Sequence, residues 1–149
     1  LQSADLARRS GTTVVIARGT VPDVIPRILR QESIGTLFTP TTSAVESRKR
    51  FILAGGQVGK LTVDAGASRA LAQGSSLLAA GLIGVTGEFE RGETLSIILP
   101  EGREIARGVV NYNHNDCLKL CGRHSSEIEC TLGYSYSDVI IHRNNLVLL

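Results

Sequence analysis

At the start of the chain, the hydrophobic pattern alternates between helix-like and strand-like segments. Residues 3–10 (SADLARRS) are typical of the end of a helix, and Gly11 suits its C-cap. Residues 12–17 (TTVVIA) are a β-branched run typical of a strand buried on both faces, as in a parallel sheet. Residues 21–30 place their apolar positions on one helical face, and residues 35–38 (GTLF) predict a short strand. This order indicates part of an open α/β sheet. The predicted helical face consists of Val24, Ile25, Ile28 and Leu29.

The pattern changes after a polar, turn-rich segment at residues 39–47 (TPTTSAVES), where we expect a domain boundary. Residues 48–54 (RKRFILA) then predict a strand, which three nearby glycines bring to an end. The predicted divisions are the end of an α/β domain over residues 1–40, a linker with a connecting strand over 41–58, and a second domain over 59–149.

In the second domain, short strand patterns are separated by strong turn signals at residues 89–93 (FERGE) and 100–102 (PEG). Short helices are predicted at residues 66–74, 116–121 and 126–132. The fold class is therefore α+β, the C-terminal remnant of an open α/β sheet domain followed by a small β pseudo-barrel with short helices. The predicted strands are residues 61–64, 82–88, 94–99 and 104–112, with a final pair at 139–142 and 146–149.

The composition is that of an ordinary globular protein. The chain has 149 residues, of which 42% are hydrophobic and 20% charged, and its net charge is +2. No apolar run approaches the roughly 18 residues that span a bilayer, so we expect no membrane segment. The three cysteines form no disulfide framework, which favours a reducing cytoplasm. The chain lacks Met, and we expect it to be processed or part of a longer protein.

One sequence motif suggests a zinc site. His114, Cys117, Cys121 and His124 follow the pattern H-x₂-C-x₃-C-x₂-H. Structural zinc sites usually pair close ligands across a longer gap. Because the two cysteines are spaced i, i+4 on a predicted helix, packing of that helix on the barrel explains them more simply.

Other catalytic patterns are weak. Gly55, Gly56 and Gly59 suggest a phosphate cradle, but Lys60 leads into a strand rather than a helix, which favours a flexible inter-domain turn. No serine or histidine has a nucleophile-elbow pattern around it. We therefore assign no catalytic, cofactor or metal residue. The acidic residues that could pair, but are more often solvated, are Asp64, Glu88, Glu90 and Glu93.

The densest basic cluster is formed by Arg48, Lys49 and Arg50, a candidate contact for RNA or for another domain. Single-stranded RNA readers also need aromatic stacking platforms, and the chain has only three Tyr, three Phe and no Trp. A solvated or domain-bridging role is the alternative for this cluster. Other cations that could join it are Arg8, Arg9, Arg103, Arg107, Arg123 and Arg143.

The second domain resembles a PUA domain, a pseudo-barrel named for RNA-modifying enzymes. The residues that carry the resemblance are 59–67 (GKLTVDAGA), 74–81 (GSSLLAAG), 85–93 (VTGEFERGE) and 104–112 (EIARGVVNY).

The whole chain also resembles the C-terminal part of the glutamate 5-kinase family, in which an amino-acid-kinase domain precedes the PUA domain. The family phosphorylates the side-chain carboxylate of glutamate with ATP and Mg²⁺, the first step of proline synthesis. The resemblance implies that the nucleotide, glutamate and transition-state lysine sites precede Leu1, so we expect the isolated chain to be inactive and to hold no cofactor. The segments that carry it are 35–38 (GTLF), 46–52 (ESRKRFI), 74–78 (GSSLL), 122–125 (GRHS), 127–128, 132–134 (LGY) and 142–143.

The resemblance implies a cytoplasmic protein whose partners are the remainder of the kinase domain and further copies of itself. The PUA module then has a structural, regulatory or oligomerisation role. A stand-alone RNA-binding module is the alternative function. A third hypothesis is a purely structural role in which an incomplete sheet edge drives self-association.

Overall fold

The computed structural model describes residues 2–41 and 43–149 of the chain. These residues form two compact units, one ending at Arg48 and the other running from Lys49 to Leu149. Among the described helices, none is both long and apolar enough to cross a membrane.

The first unit contains a two-stranded sheet. Strand β1 (Val14–Ile16) pairs with strand β2 (Thr36–Phe38), and Val14 lies opposite Phe38. The pairing is antiparallel, so the expectation of a parallel neighbour for β1 is wrong within the described unit. A short apolar run carries no information on the direction of the partner strand. The expected burial on both faces is also not observed within this unit, because Val14 and Val15 are half-buried and Ile16 is exposed. The accompanying helices are α1 (Gln2–Arg9) and α2 (Val24–Leu29).

Helix α2 presents part of its apolar face to solvent. It begins after Asp23, and Pro26 stands in the first turn, where its missing N–H is tolerated. The structure buries no residue of α2, and the exposed fractions of Ile25 and Leu29 are 68% and 78%. Two of the four residues of the predicted apolar face, Ile25 and Leu29, are therefore exposed, while Val24 and Ile28 are half-buried.

The connecting element is a helix, α3 (Ala44–Ala54), so the predicted strand over residues 48–54 is wrong. The N–H and the hydroxyl of Ser43 donate to the Glu46 carboxylate at 3.0 and 3.1 Å, and the N–H of Glu46 donates back to the Ser43 hydroxyl at 3.1 Å. This reciprocal arrangement is a capping box, and it starts a helix through residues with good helix propensity. The Ser-x-x-Glu signal outweighs the strand-like run Phe51-Ile-Leu53 that follows it.

The second unit is built on a five-stranded mixed sheet. Its spatial order is β4-β3-β5-β6-β7, in which β3 and β5 are parallel and all other neighbours are antiparallel. The strands are β3 (Lys60–Val63), β4 (Leu82–Thr86), β5 (Thr94–Ile98), β6 (Glu104–Val109) and β7 (Leu146–Leu148).

Short helices fill the connections between these strands. Helix α4 (Ala65–Ala72) follows β3, and α5 (His114–Leu120) and α6 (Ile128–Leu132) follow β6. Three single turns of 3₁₀ helix occur at Ala79–Gly81, Ser125–Glu127 and Arg143–Asn145.

The predicted final strand pair is wrong. Strand β7 pairs with β6, whereas Ile141 makes only an isolated bridge with Leu77. Ile140 and Ile141 are both fully buried, which the alternating faces of a half-exposed hairpin do not permit. The chain therefore enters the core at these residues and turns through the 3₁₀ helix before reaching β7.

The core of the second unit lies between the sheet and its helices. Strand β5 is buried at four successive positions, which requires cover on both of its faces, whereas β3 alternates between exposed Lys60 and buried Leu61. Buried side chains of β3, β5, α5 and the segment before β7 form one continuous cluster. Its largest fully buried members include Tyr112, Leu61, Leu71, Leu95, Ile97, Leu120, Ile128 and Ile140.

Strand β6 is also attached to the connecting helix. The guanidinium of Arg107 forms a 2.9 Å ion pair with Glu104 and donates to the carbonyl of Leu53, near the end of α3, at 3.3 Å. The hydroxyl of Ser96 donates to the same Glu104 carboxylate at 2.7 Å. Hydrogen bonding from Arg107 is the main cause that lowers the pKa of Glu104. The last turn of α3 is therefore tied to the sheet by a hydrogen-bonded charge pair.

Tyrosine hydroxyls fasten the segment that follows α6. The buried Tyr112 hydroxyl donates to the carbonyl of Ser137 and accepts from the N–H groups of Tyr136 and Ser137 at 3.1 and 3.0 Å. The hydroxyl of Tyr134 donates to the buried carboxylate of Asp116, and this hydrogen bond is the main reason that the pKa of Tyr134 rises to about 12. The N–H groups of Tyr136 and Ser137 and the carbonyl of Ser137 thus have the Tyr112 hydroxyl as their hydrogen-bond partner.

We expect Tyr112→Phe to lower the free energy of unfolding by about 1–3 kcal/mol, because two buried N–H groups and a carbonyl lose their partner. Denaturant unfolding of the whole chain measures the difference. Tyr136→Phe is the matched control, since the Tyr136 side chain is 54% exposed, and its effect should stay within about 0.5 kcal/mol. Equal effects of the two substitutions would contradict the assignment.

Candidate functional site

The start of helix α4 is set by a carboxylate. Asp64 precedes the helix, and its side chain accepts from the N–H of Ala67 at 2.7 Å. The N–H of Asp64 donates to the carbonyl of Gly81 at 3.1 Å. Asp64 is thus an N-cap that joins α4 to the following 3₁₀ turn, which gives this carboxylate a structural task in place of acid–base chemistry. Glu93 has a similar task, because its carboxylate accepts from the N–H of Glu90 at 2.8 Å.

A groove of about 350 Å³ runs between α4 and the 3₁₀ turn, and we call it the apolar groove. The helix and the turn approach closely because Gly81 has no side chain, and a Cβ there would lie 2.4 Å from the Cβ of Ala67. Among the described lining residues, Asp64 alone is charged, and its carboxylate is engaged in the cap. The lining residues are Asp64, Gly66, Ala67, Ala70, Ser75, Ser76, Leu78, Ala80 and Gly81.

A second cavity, of about 270 Å³, lies at the other end of α4, and we call it the cationic cleft. It shares Ser75 with the apolar groove, so the two depressions adjoin. Two positive side chains, Lys49 and Arg143, contribute to its wall. The lining residues are Lys49, Leu71, Gly74, Ser75, Arg143, Leu146, Val147 and Leu148.

The predicted basic cluster is dispersed by its secondary structure. Arg48, Lys49 and Arg50 are all exposed on α3. Successive residues of a helix are rotated by about 100°, so the three side chains point in different directions and do not form one patch. Of the three, only Lys49 lines one of the described cavities of the second unit.

The other cations do not extend this cluster. Four of the arginines proposed as its neighbours form ion pairs, which reduces the positive potential that they offer to a nucleic acid. Arg8 and Arg143 have no acidic partner within residues 2–41 and 43–149, but Arg8 donates to the carbonyl of Thr39 at 3.3 Å. The ion pairs are Arg9–Asp5 at 2.9 Å, Arg103–Glu101 at 3.8 Å, Arg107–Glu104 at 2.9 Å and Arg123–Glu127 at 3.7 Å.

The four residues of the candidate zinc pattern serve packing and the cap of the following 3₁₀ turn. Cys117 is fully buried, and its sulfur lies 3.7 Å from the carbonyl oxygen of Tyr112. Cys121 is half-buried against the core. The ring of His114 packs edge-on against Phe89 at 5.5 Å, while His124 caps the next 3₁₀ turn. Across the described part of the chain, no three His, Cys, Asp or Glu side chains lie close enough together to hold a metal ion.

The glycine-rich segment between α3 and β3 runs from a helix into a strand, which is the reverse of the strand-to-helix order of a phosphate loop. Gly59 is buried, and a Cβ at this position would lie 2.7 Å from Cδ1 of Phe89. A larger residue at position 59 would collide with the Phe89 ring, so the close packing here requires glycine.

The sheet order, the crossover through α4 and the short helices after β6 together define a class of domain. The PUA domain family matches residues 59–132, so this part of the chain is a PUA domain. Two solved PUA structures are similar to it at 22% identity. One, from Aeropyrum pernix K1, covers 57% of this chain and 41% of its own with a TM-score of 0.43. The other, from Thermoplasma acidophilum, covers 60% and 56% with a TM-score of 0.40.

Over its whole length the chain is a homologue of glutamate 5-kinase. The enzyme of Shewanella oneidensis is 50% identical over 100% of this chain and 41% of its own length. The corresponding enzyme of Deinococcus radiodurans is 45% identical over the same shares. That of Herpetosiphon aurantiacus is 46% identical over 99% of this chain and 40% of its own. The chain spans about two-fifths of the length of these relatives.

Sequence reasoning missed the cationic cleft. It singled out Lys49 as part of a run, and it mentioned Arg143 only as one of several scattered cations. Their meeting depends on the helical state of α3 and on the pairing of β7 with β6, both of which were predicted differently. The Ser-x-x-Glu capping pattern at Ser43 and Glu46 was the one local signal that could have corrected the first of these.

The burial of Cys117 leads to a prediction on thiol reactivity. Desolvation is the main cause that raises the pKa of Cys117 to about 12, so its reactive thiolate is scarce near neutral pH. We expect iodoacetamide at pH 8 to modify exposed Cys130 first and to reach Cys117 only after denaturation. Peptide mass spectrometry of native and unfolded samples measures this order. Rapid modification of Cys117 in the native chain would contradict the described packing.

Proposed function

We propose that this chain is the C-terminal portion of a glutamate 5-kinase, an enzyme that transfers the γ-phosphoryl group of ATP to the side-chain carboxylate of glutamate with Mg²⁺. The observation that carries the proposal is identity of 45–50% to glutamate 5-kinases along the whole chain. In this proposal residues 1–40 complete the amino-acid-kinase domain, residues 41–58 connect the domains, and residues 59–149 form the PUA domain with its C-terminal extension.

The exposed apolar surface of the first unit supports this assignment. Ile25 and Leu29 on α2 and Leu37 on β2 are 68%, 78% and 60% exposed. Full burial of such a side chain contributes about 1.5–3 kcal/mol, so surfaces of this kind usually serve as interfaces. A cavity of about 570 Å³ on the same unit is lined in part by Val15, Ile28 and Leu37. The proposed occupant of this surface is the preceding part of the kinase domain.

In this proposal the nucleotide and glutamate sites belong to that preceding part, and this chain completes the sheet of the kinase domain. The groups that catalyse phosphoryl transfer by positioning and charge neutralisation would then come from outside the chain. The PUA domain would act in stability, regulation or self-association of a cytoplasmic enzyme. ATP and Mg²⁺ would be ligands of the assembled protein.

A chimera tests the proposal. The matching C-terminal part of the Shewanella oneidensis enzyme is replaced by this chain, and glutamate-dependent ATP consumption is measured. We expect the chimera to be active and the isolated chain to be inactive. The double substitution Ile25→Asp and Leu29→Asp should reduce activity at least tenfold, because it places two charges in the proposed interface.

The matched control for the chimera is Leu118→Asp, which adds a charge at a 48% exposed position on α5 and should leave activity near that of the unsubstituted chimera. Thermal melts verify that each variant is folded. A folded chimera without glutamate kinase activity would count against the proposal, as would phosphorylation of glutamate by the isolated chain.

A second candidate function is RNA binding by the PUA domain. The observation that favours it is the position of exposed Lys49 on α3, beside Arg143 and next to the apolar groove. The ion pairs of the neighbouring arginines limit the positive surface, which is why this function ranks second.

RNA binding predicts that affinity falls as the salt concentration rises. If two cations contact phosphates of a single strand, the logarithm of the association constant should fall with the logarithm of salt concentration with a slope of roughly −1.4, from about −0.7 per contact. Fluorescence anisotropy of a labelled hairpin and a labelled single strand measures this slope. Affinity that does not change with salt, or no binding near physiological salt, would remove this function.

A further inference from the structure

The cationic cleft holds two positive charges that no described acidic residue balances. Lys49 and Arg143 both line it, and neither forms an ion pair or a side-chain hydrogen bond within residues 2–41 and 43–149. The described lining contains no Asp or Glu. The two positive charges repel each other across the small cavity. A bound anion is attracted to both of them and offsets this repulsion.

The arginine is presented by an ordered piece of backbone. Arg143 begins the 3₁₀ turn before β7, and its N–H donates to the hydroxyl of Ser76 at 2.9 Å. The N–H of Asn144 donates to Nδ1 of His142 at 3.2 Å, which caps the same turn. Because the backbone is held before any ligand arrives, little ordering of the main chain opposes binding.

The lysine is supplied by a separate element. Lys49 belongs to α3, whose end is tied to the sheet through the hydrogen bond from Arg107 to the carbonyl of Leu53. The two cations thus reach the cleft from elements that are far apart in the chain. A tetrahedral anion offers acceptor oxygens in several directions, so it can accept from both cations at once.

A hydroxyl completes the set of donors. Ser75 lies after α4 and lines the cleft, and its side chain has no hydrogen-bond partner among the described residues. The hydroxyl can rotate to donate to a ligand oxygen. With a volume of about 270 Å³, the cleft is slightly smaller than typical small-molecule sites, which range from about 300 to 1,000 Å³. A compact group such as a phosphate fits this volume.

We propose that the cationic cleft binds a phosphate group, with Lys49 and Arg143 as its charged contacts and Ser75 as a hydroxyl donor. The phosphate belongs either to a small phosphorylated molecule or to the backbone of RNA. The site lies outside any segment that the kinase reaction is proposed to use, so it is independent of the proposed kinase function.

Titration of the whole chain with pyrophosphate, in a phosphate-free buffer of low ionic strength, tests the proposal by calorimetry. We expect saturable binding, which weakens roughly tenfold on each of the substitutions Lys49→Ala and Arg143→Ala and further in the double variant. Arg143→Ala leaves the bond to Ser76 intact, because that bond is made by the backbone. Lys49→Arg and Arg143→Lys keep the charges and should retain most of the affinity.

The matched controls are Lys119→Ala, an exposed lysine on α5, and Arg103→Ala, an arginine paired with Glu101 at 3.8 Å. Each removes one positive charge away from the cleft, and each should bind pyrophosphate like the unsubstituted chain. Thermal melts of all variants confirm that any loss of binding is not a loss of folding.

A second arm uses a short single-stranded RNA as the titrant. Binding of pyrophosphate that depends on both cations identifies a small phosphorylated ligand, whereas RNA binding with the same dependence, in the absence of pyrophosphate binding, identifies a nucleic-acid backbone. The proposal is overturned if the folded chain binds neither probe at millimolar concentration. It is also overturned if the double variant binds both probes as tightly as the unsubstituted chain.

Discussion

Burial of strand β5 on both faces is the constraint on which the second unit depends. Thr94, Leu95, Ser96 and Ile97 are all buried, and the strand has β3 on one side and β6 on the other. Because β3 and β5 are parallel, the chain must cross over between them. That crossover carries α4, the 3₁₀ turn and β4, and the apolar groove lies between its first two elements.

The cationic cleft results from the same arrangement at the other end of α4. Its wall combines the end of α4, the edge strand β7 and Lys49 of α3. Within the described second unit, β7 pairs with β6 at the edge of the sheet, and the buried Ile140 and Ile141 lie just before it in the chain. Packing of apolar side chains therefore decides which polar groups meet at the surface.

The two units differ in how completely they bury their apolar residues. The second unit encloses a continuous core, whereas α2 of the first unit leaves Ile25 and Leu29 exposed. An element of a larger sheet domain has this character, since its inward face is covered by strands and helices from elsewhere in that domain. This contrast, together with the match to about two-fifths of the glutamate 5-kinases, underlies the proposed function.

The secondary structure of the second unit was largely predictable from local patterns. The sequence predicted β4, β5 and β6 to within a few residues, from their apolar runs and from the turns between them. Gly92 and Gly102 lie in these turns, and both have positive φ. The helices α4, α5 and α6 followed from their spacing and from the glycines that end them. The family and its PUA domain were also recognisable from short segments, and the comparisons confirm both.

Local sequence patterns did not predict the structure of segments whose conformation depends on contacts with residues distant in the chain. Residues 48–54 have strand-like side chains, but a capping box and contacts to the sheet make them the end of a helix. For the residues before β7 and for β1, the pairing partner lay beyond the reach of local periodicity.

The sequence alone thus determined the family, the order of most elements and the apolar positions of the core, because these depend on residues that are neighbours along the chain. The tertiary structure alone decided that Lys49 and Arg143 share a cleft and that other arginines are neutralised by acids. The physical reason is that charges interact through space, and the distances between these side chains exist only after the strands have paired and the core has closed.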